Sequence, residues 1–202
     1  DFRMIIRVKP KIDNKLKKMM TKTRYQHACR VSLLAQKIAE YYNLPIQKTM
    51  ISALTHDCAK DYSLEELKNL VDKYKIKLNK VEKSIPKIWH AYVGAEMVKD
   101  IFMVDDWEIL DAIRYHSTAS SKLGLIGKIV YIADKIEPNR KLTKIRKLYE
   151  KVWEDIDLAM LELLNMELQY LICNKLIIHP DTLKARNKIL MDRRVFEIGK
   201  IR

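Results

Sequence analysis

Met50-Ile51-Ser52-Ala53-Leu54-Thr55-His56-Asp57-Cys58-Ala59-Lys60 decides how this chain is read. Small and apolar residues dominate the stretch and nothing in it breaks a helix, so it reads as a buried helix. Within it an imidazole and a carboxylate stand side by side. Burying either without a partner is costly, and a divalent cation would satisfy both. Further candidate ligands follow the same pattern: His27 upstream, then His90, His116 and Asp134 downstream.

Outward from this stretch, helix follows helix. Residues 22–42 place Tyr25, Ala28, Val31, Leu34, Ala35 and Ile38 at helical spacing. His27 extends the stripe of Val31, Leu34 and Ile38 by one turn and is expected to face inward. Pro45 marks a start, and 46–59 follow as a helix. Ser63-x-x-Glu66 reads as a capping box ahead of Leu67, Leu70, Val71 and Tyr74. Residues 76–86 are polar and read as a loop. A helix resumes over 88–102. Asp105-Asp106 cap the next one, which sets Ile109, Ile113 and His116 on one stripe. Ser117 to Ser121 are small and polar, as suits an active-site loop. An apolar helix over 123–136 ends at Glu137-Pro138. Helices at 142–152 and 155–174 follow, the second rich enough in Leu and Met to be expected at the centre. Asp181 is expected to cap a last helix over 182–193. With no alternating strand pattern and no repeat, the fold class is all-α.

The 202 residues and 23.9 kDa suit one large domain, 16–202, with 1–15 as a basic extension or the tail of a preceding domain. A hydrophobic share of 48% argues against disorder, and 4 Gly with 5 Pro are few for a sandwich, a barrel or a Rossmann-like sheet. No apolar run approaches the roughly 18 residues of a membrane span, and no secretory signal is visible. Cys29, Cys58 and Cys173 are odd in number, widely spaced and free of any CxxC, which points to a reduced, cytoplasmic compartment and no zinc knuckle. The net charge is +13, but residues 1–30 hold ten Lys/Arg against two Asp (+8), and 183–202 hold seven against Asp192 and Glu197 (+5). Residues 31–182 are therefore neutral, and the basic ends read as solvated surface rather than as a nucleic-acid interface.

A lone histidine on an apolar stripe is ordinarily a satisfied core residue. Here the set matters. Four of five histidines fall on inward faces or at helix ends, and two Asp lie in apolar helices. Imidazole and carboxylate ligands without thiolate favour iron, manganese, cobalt or zinc over soft-metal chemistry. Such an ion lowers the pKa of bound water and acts as a Lewis acid on phosphate oxygen.

The order His27, His56-Asp57, Asp134 resembles the signature of the HD metal-dependent phosphohydrolases. More of the chain resembles one subgroup, the YqeK-type symmetrical bis(5′-nucleosyl)-tetraphosphatases. The matching stretches are Arg24-Tyr25-x-His27, His56-Asp57-x-x-Lys60, His90-x-x-x-Gly94-Ala95, Ala112-Ile113-x-x-His116, Ala133-Asp134-Lys135-Ile136-Glu137-Pro138-x-Arg140 and Ile178-His179-Pro180-x-Thr182. They span about residues 20–190. At position 119 this chain has Ala where the family commonly has Gly.

The resemblance implies an HD-type helical bundle with a metal site between helices. His27, His56, Asp57 and Asp134 would hold the primary ion, iron first, with manganese, cobalt, zinc or magnesium as alternatives. His90 and His116 would hold a second ion, with Asp57 bridging, or contact phosphate directly. Asp57, Lys60, His90 and His116 form the implied catalytic set. Asp57, Lys60, His90, His116, Ser117, Asp134, Arg140, Ile178, His179, Pro180, Asp181 and Thr182 form the implied nucleotide site. Lys60 and Arg140 would meet phosphate charge, or be a solvated lysine and a structural partner of Glu137. Arg24 would support His27 or the phosphates. His179 to Thr182 precede a helix N-terminus, where anion or ribose contacts or plain capping are both open.

The implied reaction is hydrolysis of diadenosine tetraphosphate to two ADP. One rival is an HD phosphohydrolase acting on a nucleoside phosphate, a cyclic nucleotide or guanosine tetraphosphate. The other is a non-catalytic basic helical binding module. The expected partner is a small dinucleoside polyphosphate, with neither membrane nor nucleic acid. A homodimer and fusion behind a nicotinate-nucleotide adenylyltransferase domain stay open.

Overall fold

Thr21 accepts from the Arg24 backbone N–H, Ser63 and Glu66 close a reciprocal capping box, and Asp106 accepts from Glu108 N–H. These local signals start α2 (Lys22–Tyr41), α4 (Leu64–Lys73) and α7 (Trp107–Tyr115) where the sequence places them. The computed structural model describes residues 10–139 and 145–200. The remaining helices are α1 (Pro10–Met19), α3 (Ile46–Thr55), α5 (Lys80–Lys83), α6 (Trp89–Phe102), α8 (Leu125–Ile136), α9 (Ile145–Glu154), α10 (Ile156–Cys173) and α11 (Pro180–Lys200), with a 3-10 turn at Pro86–Ile88. No strand occurs among the described residues, so the fold is all-α.

Glycine scarcity shows at the helix ends. Asn43, Lys75 and Lys175 take φ of 54°, 52° and 53° just past α2, α4 and α10. Each leads into a Schellman-type closure: Leu44 N–H to Ala39 O, Ile76 N–H to Val71 O and Leu176 N–H to Leu171 O, at 2.8–2.9 Å. Ala119 also has positive φ, 58°, with its N–H on Tyr115 O at 2.7 Å. This is the position where the resembled family commonly has Gly, and the left-handed turn explains that preference.

Four local expectations change. Residues 76–86 are not all loop: Asn79 and Glu82 form a second capping box over the single turn α5. The helix expected over 46–59 ends at Thr55, because the chain tightens into three-residue turns, Cys58 N–H to Thr55 O and Lys60 N–H to Asp57 O. Asp181 does not cap the last helix, which starts at Pro180, two residues ahead of the expected 182. His179 precedes it, and its Nδ1 accepts the Asp181 N–H at 3.2 Å. Finally, α10 is not central. Its buried face is one stripe, and Tyr170 and Ile172 are exposed.

The central helix is α8, in which Ile129, Val130, Tyr131, Ile132 and Ala133 are fully buried. It packs on α2, α3, α7 and α10, so a helix apolar nearly all round is the expected reading of its sequence. A second cluster joins α1, α3, α6 and α7 through Leu16, Leu54, Val98 and Ile113. Here α1 runs through the boundary at 15/16, burying Ile12 and Leu16 together. No helix among the described residues is long and apolar enough to cross a membrane.

Candidate metal centre

Three of the histidines are presented by one repeated device. His56 Nδ1 lies 2.7 Å from Ala53 O, His90 Nδ1 2.7 Å from Lys87 O, and His116 Nδ1 2.7 Å from Ile113 O. In each case the partner is the carbonyl three residues upstream, at the end or start of a helix. A carbonyl only accepts, so Nδ1 carries the proton and Nε2 keeps its lone pair for the interior. His56 Nε2 is fully buried without a hydrogen-bond partner. An orphaned acceptor of that kind fits a cation ligand.

His27 is held differently. Its Nε2 lies 3.0 Å from Asp134 Oδ1 and its Nδ1 lies 3.4 Å from Glu137 Oε1. Arg30 Nε donates to Glu137 Oε2 at 2.8 Å. His27 and Arg30 stand one turn apart on α2. Asp134 on α8 and Glu137 just past its end stand one turn apart opposite them, and the two pairs match.

Asp57 sits at the junction. Its Oδ1 is 3.4 Å from His90 Nε2 and 3.3 Å from His116 Nε2, and its Oδ2 is 3.6 Å from His56 Nε2. Asp134 Oδ1 is also 3.6 Å from His56 Nε2. Two buried triads result, each with ligand atoms within 4.8 Å of one another: His27, His56 and Asp57, and Asp57, His90 and His116.

The charge states suit a cation. Burial opposes ionisation of Asp57 and Asp134, yet the surrounding imidazoles outweigh it and hold both well below the usual carboxylate range. Burial pushes His90 down to about 4 and lowers His116, so both stay neutral with lone pairs inward. For His56, burial is outweighed by Asp57 and Asp134, and the net direction is upward. The donor set is nitrogen and oxygen without thiolate, as hard or borderline divalent ions prefer.

Cations ring this cluster. Arg24 Nη1 donates to Asp57 Oδ2 at 2.9 Å and its Nε reaches Asp61 at 3.4 Å, so Arg24 pairs with Asp57 rather than His27. Lys60 Nζ is 3.1 Å from His90 Nε2, and burial lowers its pKa. Ser117 Oγ lies 3.3 and 3.1 Å from the Nε2 atoms of His90 and His116. Lys135 donates to His116 O at 3.2 Å, lies over the Tyr131 ring and reaches Asp134 only at 3.8 Å.

His179 stands apart from the cluster. It is buried, its Nε2 lacks a hydrogen bond, and it faces Glu82 at 3.5 Å. Thr182 Oγ1 donates to Thr118 O at 2.7 Å, which ties the 178–182 segment to the loop after His116. Ile178 is half-buried, Pro180 exposed and Asp181 half-buried. Arg140 lies outside the described residues. Glu137 pairs with Arg30, His27 and the Asn139 N–H. Sequence reasoning missed Arg30 and Glu137 as site residues, although their positions three residues after His27 and Asp134 were an available signal.

The HD domain profile matches residues 24–139, more than half the chain and all of the four-histidine cluster. The chain belongs to the HD-domain family. A curated relative from Bacillus subtilis (strain 168), named a symmetrical bis(5′-nucleosyl)-tetraphosphatase, is 32% identical over 172 residues, covering 85% of this chain and 92% of its own length. A relative from Mycoplasma genitalium, named a probable nicotinate-nucleotide adenylyltransferase/Ap4A hydrolase, is 35% identical over 126 residues, 62% of this chain but only 35% of that longer protein. A crystal structure described as a predicted HD superfamily hydrolase involved in NAD metabolism, from Clostridium acetobutylicum, superposes with a TM-score of 0.87 at 29% identity, covering 90% of this chain and 96% of that one. Family membership and the cluster together make this HD domain a divalent-metal-binding one.

Proposed function

We propose that this HD-domain protein hydrolyses diadenosine tetraphosphate symmetrically, consuming one water and releasing two ADP. The observation that carries this reading is the pair of triads sharing Asp57, beside a rim of Arg24, Lys60 and Lys135. The printed name of the Bacillus subtilis relative, matched over most of both chains, supports the substrate.

His27, His56, Asp57 and Asp134 would hold one ion, and His90 and His116, with Asp57 shared, a second. Iron is the ion we propose, with manganese, cobalt, zinc or magnesium as alternatives. A divalent ion bound there supplies Lewis acidity toward phosphate oxygen and a lowered pKa for water. The chain's own residues do the rest. The backbone carbonyls of Ala53, Lys87 and Ile113 fix three imidazole orientations. Glu137 and Arg30 fix the fourth. Lys60 places an ammonium group against His90, where it can meet bridging phosphate charge. Ser117, Asp134, Arg140 and the segment from Ile178 through His179, Pro180 and Asp181 to Thr182 complete the proposed nucleotide site. A cytoplasmic location fits three free cysteines. The Mycoplasma genitalium relative supports a further reading, in which an adenylyltransferase domain is joined ahead of α1.

Chelation followed by reloading tests the proposal. Hydrolysis of diadenosine tetraphosphate should vanish on stripping and return with ferrous or manganous ion. Undiminished turnover in verified metal-free protein would overturn it.

A further inference from the structure

A cavity of 390 Å³ opens beside the metal centre, and its residues are not those of the nucleotide segment 178–182. Tyr62, Leu64, Leu67 and Pro86 form its apolar wall, and Lys60 and His90 form its inner end. Those last two are the residues that connect it to the chemistry: His90 Nε2 is 3.4 Å from Asp57, and Lys60 Nζ is 3.1 Å from His90. Leu64, the first residue of α4, stays 56% exposed. Lys87 adds a second ammonium group at the rim.

We propose that this cavity takes one of the two nucleosides of the dinucleotide, with its base against Tyr62 and the leucines. The proposal rests on the function proposed above. A substrate cleaved at its middle carries a nucleoside on each side of the reacting phosphate. The cluster likewise has two flanks. On the His116 side, Thr118 bonds Thr182 and so brings up the 178–182 segment. On the His90 side, the chain leads through Lys60 into the cavity. An aromatic ring and branched aliphatic side chains suit the face of a base, and Lys60 at the inner end suits the phosphates that precede it. The volume lies in the range that binds small molecules.

The test compares two substrates cleaved to ADP. Diadenosine tetraphosphate fills both flanks, whereas adenosine 5′-tetraphosphate, which gives ADP and pyrophosphate, has one nucleoside only. Wild-type protein should prefer the dinucleotide in kcat/KM. In Tyr62→Ala that preference should fall about tenfold, as expected for one lost stacking partner, with the change in KM. Leu64→Asp, at a position exposed enough to spare the fold, should give the same direction. An unchanged preference in both variants would overturn the cavity proposal and leave the function standing. A wild-type protein that cleaves neither substrate would overturn both.

Discussion

The Nε2 atoms of His90 and His116 lie 3.2 Å apart, each on a ring whose Nδ1 proton is committed to a backbone carbonyl. Two imidazole lone pairs therefore face one another and Asp57 in a buried space. Lys60 and Ser117 meet them from the rim. This is an arrangement organised for positive charge, and its pH dependence follows from it.

Burial pushes His90 down to about 4 in the folded protein, against roughly 6.5 unfolded. Between those values the unfolded chain binds the extra proton, so stability rises with pH across about 4 to 6.5 and is lost as pH falls through that window. The full effect is on the order of 3 kcal/mol. His116 shifts the same way and His56 the opposite way, so the single variant isolates the residue. Metal-stripped wild type should lose more stability from pH 7 to pH 4 than metal-stripped His90→Asn, measured by urea unfolding. Parallel losses would contradict this.

Asp57→Ala removes the carboxylate common to both triads and leaves Arg24 without its buried partner. Bound metal, by elemental analysis, and turnover should fall together to background. A variant that keeps either one alone would separate the shared ligand from the chemistry.

Glu137 acts on the site through His27 and is itself held by Arg30. Second partners of this kind are typically worth about 10–100-fold in metal affinity. Glu137→Ala should weaken manganous ion binding by that order in calorimetric titration, with Arg30→Ala weaker in the same direction. Unchanged affinity in both would reduce the pair to a helix tie.

The helix pattern, the capping box at Ser63 and Glu66, and the convergence of His27, His56, Asp57, His90, His116 and Asp134 were legible in the sequence. They depend on local periodicity, and inward faces of a small bundle must meet. The 80–83 turn was hidden because its capping box lies in a polar stretch with no buried residue of its own. The rank of α10 was misjudged because apolar content does not reveal that Tyr170 and Ile172 are exposed. The Arg30 and Glu137 couple is spaced three residues after His27 and Asp134, but that spacing gains meaning only when α2 and α8 pack and set the two pairs opposite each other.

Lys75 and Lys175 are exposed residues forced into left-handed backbone. That conformation costs about 1–2 kcal/mol for a side chain, while glycine gives back roughly 0.4–1 kcal/mol through the freer unfolded chain. Lys75→Gly and Lys175→Gly should each raise stability by about 0.5–1 kcal/mol, seen as higher unfolding midpoints without change in turnover. A fall in midpoint would show that the lysine side chains do more than their exposure implies.

The proposed reaction is a metal-dependent cut at the middle of a dinucleoside tetraphosphate. Its most direct test is chromatography of the products formed from diadenosine tetraphosphate by the metal-loaded protein. ADP should be the sole nucleotide product, two per substrate consumed. AMP and ATP in equal amounts would place the cut off centre and contradict it.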